Sequence, residues 1–205
     1  MRHSLLIISV IYVLSSCNFD DRAKQSIVPN NSVDTVKIAK QKEQAKYFSD
    51  LATTLKLLPI GNGADSFELR LWVSSMFVEH DLMILTFKNQ TWESHKIRYY
   101  KSEDGVTHFK EREIKTKFSI NNLVDSLKVV DFSSLPSQEE IKNFKDNIAD
   151  GVTYNIEVAT KSSYRHLSYH CPEHFAKAEI NNKRFLDIIY LLDKHFRFWS
   201  PICVF

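Results

Sequence analysis

The stretches FELRLWVS, residues 67–74, and LMILTF, residues 82–87, indicate the fold class of this chain. In the first stretch the side chains alternate between two faces, because successive residues of a strand point to opposite sides. The face expected in the core carries Phe67, Leu69, Leu71 and Val73. The second stretch is apolar on both faces, which is typical of a central strand. We therefore predict a half-buried strand over 67–74 and a central strand over 82–87.

The rest of the chain extends this sheet and adds helices. Further strands are predicted over residues 92–101, 106–118, 152–158 and 164–170. Amphipathic helices are predicted over residues 35–58 and 181–196, where apolar residues recur at three- and four-residue steps. Adjacent strands joined by short turns pair in antiparallel fashion. The prediction is a single α+β domain over residues 34–205, with an antiparallel sheet of about five to seven strands packed against N- and C-terminal helices.

Two local patterns predict how segments begin and end. The polar triplet Glu79-His80-Asp81 is interpreted as a turn between the first two strands. Ser137-Gln138-Glu139-Glu140 has the spacing of a capping box, so we predict that a short helix begins there.

The N-terminus has the pattern of an export signal. A basic start at Arg2 and His3 precedes the apolar run LLIISVIYVL, residues 5–14, and then the small residues Ser15 and Ser16. Ten residues in a helix rise only about 15 Å, which is half the hydrocarbon thickness of a bilayer. The run therefore predicts a cleaved signal rather than a membrane span.

The sequence Leu14-Ser15-Ser16-Cys17 resembles the lipobox of bacterial lipoproteins. The resemblance covers residues 1–17 and implies a signal peptide over 1–16 and a diacylglycerol thioether on Cys17. Residues 17–33 are polar and predict a lipidated, flexible tether. Because several acyl chains hold a protein stably on a membrane, the implied partner is the bilayer itself. In the lipoproteins that this segment resembles, an aspartate directly after the anchor Cys implies retention in the inner membrane, so the resemblance with Asn18 in that position implies the outer membrane. The whole chain is also similar to small Bacteroidota envelope lipoproteins, a similarity that implies no activity.

Composition excludes several classes of function. The 27 Lys and Arg residues nearly balance the 25 Asp and Glu residues, so no concentrated basic face is expected and no nucleic-acid partner is predicted. Only four glycines occur, which argues against a glycine-rich phosphate loop. No G-x-S-x-G motif or S-x-x-K motif with its partner set is found. We therefore predict no catalytic residue and no cofactor.

The two cysteines outside the lipobox, Cys171 and Cys203, form an even pair in an oxidising compartment. A disulfide between them is predicted. The alternative is two buried thiols, which behave as small apolar side chains.

Two groups of residues are weak candidates for binding. The first is the predicted outward face of the sheet, with Arg70, Trp72, Lys96, Arg98 and Tyr100, because arginine and aromatic residues are enriched at interfaces. The second is the polar segment 165–174, which contains His166, His170, Cys171 and His174. In a strand, His166 and His170 share one face and Cys171 lies on the other, so a zinc site is not predicted. In both cases an ordinary solvated strand face is the alternative.

The predicted function is that of a membrane-anchored envelope lipoprotein of non-enzymatic binding or structural type, whose partner is an envelope protein or peptide. The alternative is an envelope hydrolase, metal-dependent or not, that uses the His166/His170/His174 region.

Overall fold

In a computed structural model the described residues are 35–75, 79–101, 107–114, 119–129 and 132–197. The chain divides into two units, residues 1–39 and 40–205, and the fold below is that of the second. The predicted signal peptide, the tether, Cys17 and Cys203 lie outside the described residues.

The second unit confirms the α+β class and the antiparallel sheet. Its six strands are β1 (Phe67–Ser75), β2 (Glu79–Lys88), β3 (Thr91–Lys101), β4 (Thr107–Glu113), β5 (Val152–Thr160) and β6 (Tyr164–His170). The helices are α1 (Thr35–Thr54, which begins in the first unit), α2 (Ile120–Val129), α3 (Pro172–Phe175) and α4 (Ile180–Phe196), with 3-10 turns at Phe132–Ser134 and Gln138–Glu140. Within the described residues no helix combines the length and apolar character that a membrane span requires.

The strand order is β4-β3-β2-β1-β5-β6, and every neighbouring pair is antiparallel. Strands β1 to β4 form the predicted meander, and the β5–β6 hairpin pairs with the free side of β1. The apolar strand β2 is therefore central, as its sequence predicts. At the two edges of the sheet lie β4 and β6.

The alternation within β1 separates two hydrophobic clusters, one on each face of the sheet. The α4 face carries Leu69, Leu71 and Val73, which pack with Phe185, Ile188 and further residues of α2 and α4. On the opposite side, the α1 face carries Trp72, Leu82 and Ile84, which pack under Phe48, Leu51, Ala52 and Leu55 of α1. Both faces of the sheet centre are thus covered by helices.

One local prediction is wrong, and a second is confirmed only for the start of its helix. Glu79, His80 and Asp81 pair with Tyr100, Tyr99 and Arg98, so they belong to β2 rather than to a turn. Segment 137–140 has the capping box, with the Ser137 N–H donating to Glu140 Oε2 at 2.9 Å, but its helix ends after one 3-10 turn. The backbone turns away because Ile141 is extended.

Candidate functional site

The predicted outward face is divided between the two sides of the sheet. Trp72 lies opposite Leu82, which lies opposite Ile97, so Ile97 shares its face. Lys96 and Arg98 therefore lie on the other face, and the prediction that these side chains form one surface is wrong. Alternation within a strand predicts which of its own residues share a face, but the register between strands depends on long-range pairing.

Arg70 and Trp72 are not exposed, contrary to the prediction. Their exposed fractions are 2% and 0%, because Trp72 packs under α1 and Arg70 bonds to the chain at Leu58, just after α1. The Arg70 Nη2 donates to the carbonyl oxygen of Leu58 at 2.6 Å and its Nε to Glu68 Oε1 at 2.7 Å. These bonds satisfy the guanidinium inside the fold, so Arg70 holds the chain after α1 against the sheet.

A buried carboxylate lies beside this arginine. Glu157 Oε2 accepts a bond from Trp72 Nε1 at 2.7 Å, and its Oε1 accepts one from the Tyr164 hydroxyl at 2.8 Å. Burial raises the pKa of Glu157, and the two hydrogen bonds partly oppose that effect. The three residues and Arg70 form a polar network within the core rather than a ligand site.

His166 belongs to the same buried layer. Its ring packs on Phe48 at 5.1 Å between centroids, and its Nε2 donates to Asn155 Oδ1 at 3.2 Å. Burial lowers the pKa of His166 to about 4. The imidazole is therefore neutral at pH 7 and serves as part of the packing under α1.

His170 lies in a different environment from His166. Its Nδ1 donates to Asp146 Oδ2 at 2.7 Å. An open hollow of about 300 Å³ is lined there by Ser74, Ser75, Ala149, Asp150, Gly151, Thr153 and His170. Ser74, Thr153 and His170 lie side by side across β1, β5 and β6. Because Asp146 holds Nδ1 of the His170 ring, the other ring nitrogen, Nε2, can take part in proton transfer. The hollow could therefore bind or activate a polar group.

The remaining members of the segment 165–174 do not join His170. His174 lies in α3 with its ring against Phe175, and the fully buried Cys171 is the cap of that helix. In the described part of the chain, no three His, Cys, Asp or Glu side chains are grouped as metal ligands. The predicted disulfide stays a prediction, because Cys203 lies outside the described residues.

The edge formed by β6 is covered by segment 135–140. Cys171 N donates to Val152 O at 2.8 Å, so odd-numbered residues of β6 bond to β5 and even-numbered ones point their N–H and C=O groups outwards. The Gln138 side chain meets His170, accepting from its N–H at 2.8 Å and donating to its C=O at 2.9 Å. The Ser137 hydroxyl accepts from Ser168 N at 3.2 Å and donates to His166 O at 3.4 Å. We call this the covered edge.

The covered edge is held from behind by α4. Gln138 is 5% exposed, and its Nε2 also donates to Asn182 Oδ1 at 2.7 Å. Asn182 is fully buried and donates to Glu179, the residue that caps α4. Arg165 adds a bond to the carbonyl oxygen of Leu135. Sequence reasoning missed Gln138 and Asn182 as a pair, since 44 positions separate them.

The edge formed by β4 is open. Ile114 N donates to Ser94 O at 2.9 Å, so even-numbered residues of β4 bond to β3, whereas Phe109, Glu111 and Glu113 point their N–H and C=O groups outwards. No described residue pairs with those outward groups. Phe109 to Glu113 are all exposed. We call this the open edge.

Two of the predicted binding residues lie on β3, next to the open edge. The Arg98 side chain is half exposed and donates from Nε to Asp81 Oδ1 at 3.0 Å. Tyr100 is 39% exposed. Lys110 of β4 lies opposite Arg98 and shares its face, whereas Phe109 lies on the other face.

In comparison with known proteins, the chain matches no family model and no curated protein.

Proposed function

We propose that this chain is a membrane-anchored envelope lipoprotein of non-enzymatic binding type, and that its partner is another envelope protein or peptide. The observation that carries the proposal is the contrast between the edges of one sheet: the backbone groups of β6 bond to Ser137 and Gln138, and the outward groups of β4 have no partner among the residues that the structure describes. An unpaired strand is a template for pairing with another chain. The lipobox-like sequence at Cys17 supports the membrane location.

In-cell cross-linking followed by mass spectrometry tests this proposal. The native protein is compared with a Cys17→Ala variant, which is expected to leave the membrane fraction. A specific partner that is captured by the anchored protein and lost from the variant supports the proposal. Unchanged membrane partition of Cys17→Ala contradicts the anchor, and the absence of any partner above background contradicts the binding role.

A second candidate function is that of an envelope hydrolase, favoured by the 2.7 Å bond between His170 and Asp146 at the mouth of the hollow. In this reading Asp146 orients the imidazole and His170 acts as general base towards a water molecule. Chromogenic ester and amide substrates test it, with His170→Gln and Asp146→Asn as variants. His174→Gln is the control, because that ring lies on α3. Turnover lost only in the first two variants supports a hydrolase, and no turnover by the native protein contradicts it.

The metal-dependent form of this hydrolase has its own test. Stoichiometric zinc in purified protein, lost on joint substitution of His166 and His170 by alanine, supports that form. Fully folded protein without zinc contradicts it. The position of His166 under Phe48 argues against it, since a ligand must present its ring nitrogen to the metal.

A further inference from the structure

The basic and acidic side chains of the open edge lie on opposite faces of the sheet. Lys110 and Arg112 lie on the α4 face, because they pair with Arg98 and Lys96. Phe109, Glu111 and Glu113 alternate with them and lie on the α1 face. The strand therefore presents two basic side chains on one side and two acidic side chains with an aromatic ring on the other.

The basic pair is not compensated within the sheet. Directly opposed side chains of like charge destabilise a strand pair, and here Arg98 is opposite Lys110 and Lys96 is opposite Arg112. The two cations of β3 are paired with carboxylates of β2: Asp81 lies 2.8 Å from Lys96 Nζ and 3.0 Å from Arg98 Nε, and Glu79 lies 3.4 Å from Arg98 Nη1. Lys110 and Arg112 have no acidic partner among the described residues. Two positive charges thus lie beside backbone groups that have no partner among the described residues.

On the α1 face, one of the two glutamates of β4 has a partner. The Glu111 carboxylate lies 3.2 Å from His95 Nδ1, and Lys56 Nζ lies 5.7 Å from the ring centroid of Phe109. Glu113 has no basic partner in the described part of the chain. A strand added to this edge would find an aromatic surface at Phe109 and a negative one at Glu111 and Glu113.

From this arrangement, and resting on the proposed binding function, we infer that β4 binds an extended segment of a partner protein as a seventh strand. The segment alternates acidic residues, opposite Lys110 and Arg112, with basic or aromatic residues, opposite Phe109, Glu111 and Glu113. The outward backbone groups supply affinity, and the alternating charges set the register.

A second copy of this chain fits the same edge poorly. A two-fold axis perpendicular to the sheet pairs one residue with itself at the centre of the contact. Centred anywhere from Lys110 to Glu113, that contact places like charges opposite each other. Charge complementarity therefore favours a different chain with the alternating pattern.

Peptide binding followed by NMR tests the inference. The probe is a capped peptide that contains KEKEF, which in antiparallel register places Glu opposite Lys110 and Arg112 and Phe opposite Phe109. A capped peptide containing KKEEF has the same composition with the charges in blocks, and it is expected to bind at least tenfold more weakly. Binding of KEKEF should slow amide exchange at Phe109, Glu111 and Glu113, because these outward N–H groups lie along the peptide in that register, whereas Lys110 and Arg112 bond to β3.

Matched variants separate the backbone from the side chains. Glu111→Pro removes one outward N–H, leaves the bonds of β4 to β3 in place, and should weaken KEKEF binding at least tenfold. Glu111→Ala retains that N–H and should weaken binding less than threefold. Lys110→Glu combined with Arg112→Glu should abolish the preference for KEKEF over KKEEF. Circular dichroism of each variant checks that it is folded.

Several outcomes would overturn the inference. Equal binding of the two peptides would show that the charges of β4 do not select the alternating pattern. Binding of neither peptide would show that these charges protect the edge from pairing. Dimerisation of the native protein that Glu111→Pro abolishes would identify a second copy as the occupant. An in-cell partner retained by Glu111→Pro would overturn the edge site and leave the proposed function standing. No in-cell partner with any variant would instead contradict the proposed function.

Discussion

The two edge strands of the sheet, β4 and β6, differ in what their outward backbone groups contact. An edge strand exposes every second N–H and C=O group, and such a row can pair with another chain. On β6 the outward groups of His166, Ser168 and His170 are bonded to Ser137 and Gln138. On β4 the outward groups have no partner in the described residues, and the exposed side chains are charged or aromatic.

This difference indicates that the covered edge contributes to the stability of the fold and that the open edge retains the capacity to bind. The covered edge is connected to the core through the fully buried Asn182 of α4, which accepts a bond from Gln138. A substitution at this edge should therefore also affect the packing of α4. The open edge contributes little beyond its pairing with β3. We therefore expect substitutions at the covered edge to change the free energy of unfolding, and substitutions at the open edge to change binding.

The largest effect is expected at Gln138. Gln138→Leu retains the approximate volume but leaves His170 N, His170 O and Asn182 Oδ1 without their bonds. Each buried unsatisfied group costs about 1–3 kcal/mol, so the free energy of unfolding should fall by about 4 kcal/mol. Urea denaturation measures it, with Lys110→Leu on the open edge as the control, expected within about 0.5 kcal/mol. A loss below about 1 kcal/mol would show that water replaces Gln138 at no cost.

A pH dependence of nearly the same size is expected from His166, which lies on the covered strand. Its pKa in the fold is about 4 and its ordinary value is 6.5, so the unfolded chain binds the proton more tightly between these values. Stability is therefore complete above about pH 6.5 and falls by about 3 kcal/mol as the pH drops to 4.

The matched variant for this dependence is His166→Gln, which keeps a donor for Asn155 and cannot titrate. Its fall in stability between pH 6.5 and 4 should be smaller than that of the native protein by about 3 kcal/mol. Glu157, whose raised pKa acts in the opposite direction, is common to both proteins and cancels in the difference. Identical profiles of the two proteins would show that His166 is protonated in the fold without cost.

Much of the fold could be predicted from the sequence because it depends on local periodicity. The alternation from Phe67 to Val73 and the apolar run 82–87 identify β1 and β2, and the three- and four-residue spacing identifies α1 and α4. What could not be predicted depends on long-range register. The sequence predicts an exposed Trp72 because nothing local indicates that α1 covers its face.

The candidate site was less predictable than the fold for the same reason. The covered edge depends on Gln138, whose partners His170 and Asn182 lie 32 and 44 positions away. The capping-box spacing at Ser137 predicts that a helix begins in this segment. It does not predict that the same side chains bond to the edge of β6. His170 belongs to the polar segment that the sequence identifies, whereas Asp146, in the loop before β5, has no sequence feature that distinguishes it from other surface carboxylates.

Proline substitutions test which residues of β4 bond to β3 and which point their N–H groups outwards. Arg112 bonds to β3, so Arg112→Pro removes a ladder bond and should lower the free energy of unfolding by about 3 kcal/mol. Glu111 points outwards, and Glu111→Pro should cost only about 1 kcal/mol. The expected difference of about 2 kcal/mol is measured by urea denaturation. Equal losses would mean that the register inferred from the bond between Ile114 and Ser94 does not continue along β4.

The smallest effect concerns the opposed charges on the α4 face. Replacing Lys110 and Arg112 together by glutamate converts two like-charge oppositions, with Arg98 and Lys96, into attractive pairs. We expect a gain of about 0.5 kcal/mol in the free energy of unfolding at low salt, because each exposed cross-strand pair contributes only tenths of a kcal/mol. The gain should vanish at about 1 M salt, where the Debye length falls to about 3 Å. The neutral control, with glutamine at both positions, should give about half the gain. A loss of stability in the glutamate variant would mean that Lys110 and Arg112 are satisfied within the fold, and the open edge would then have no unpaired positive charge to offer a partner.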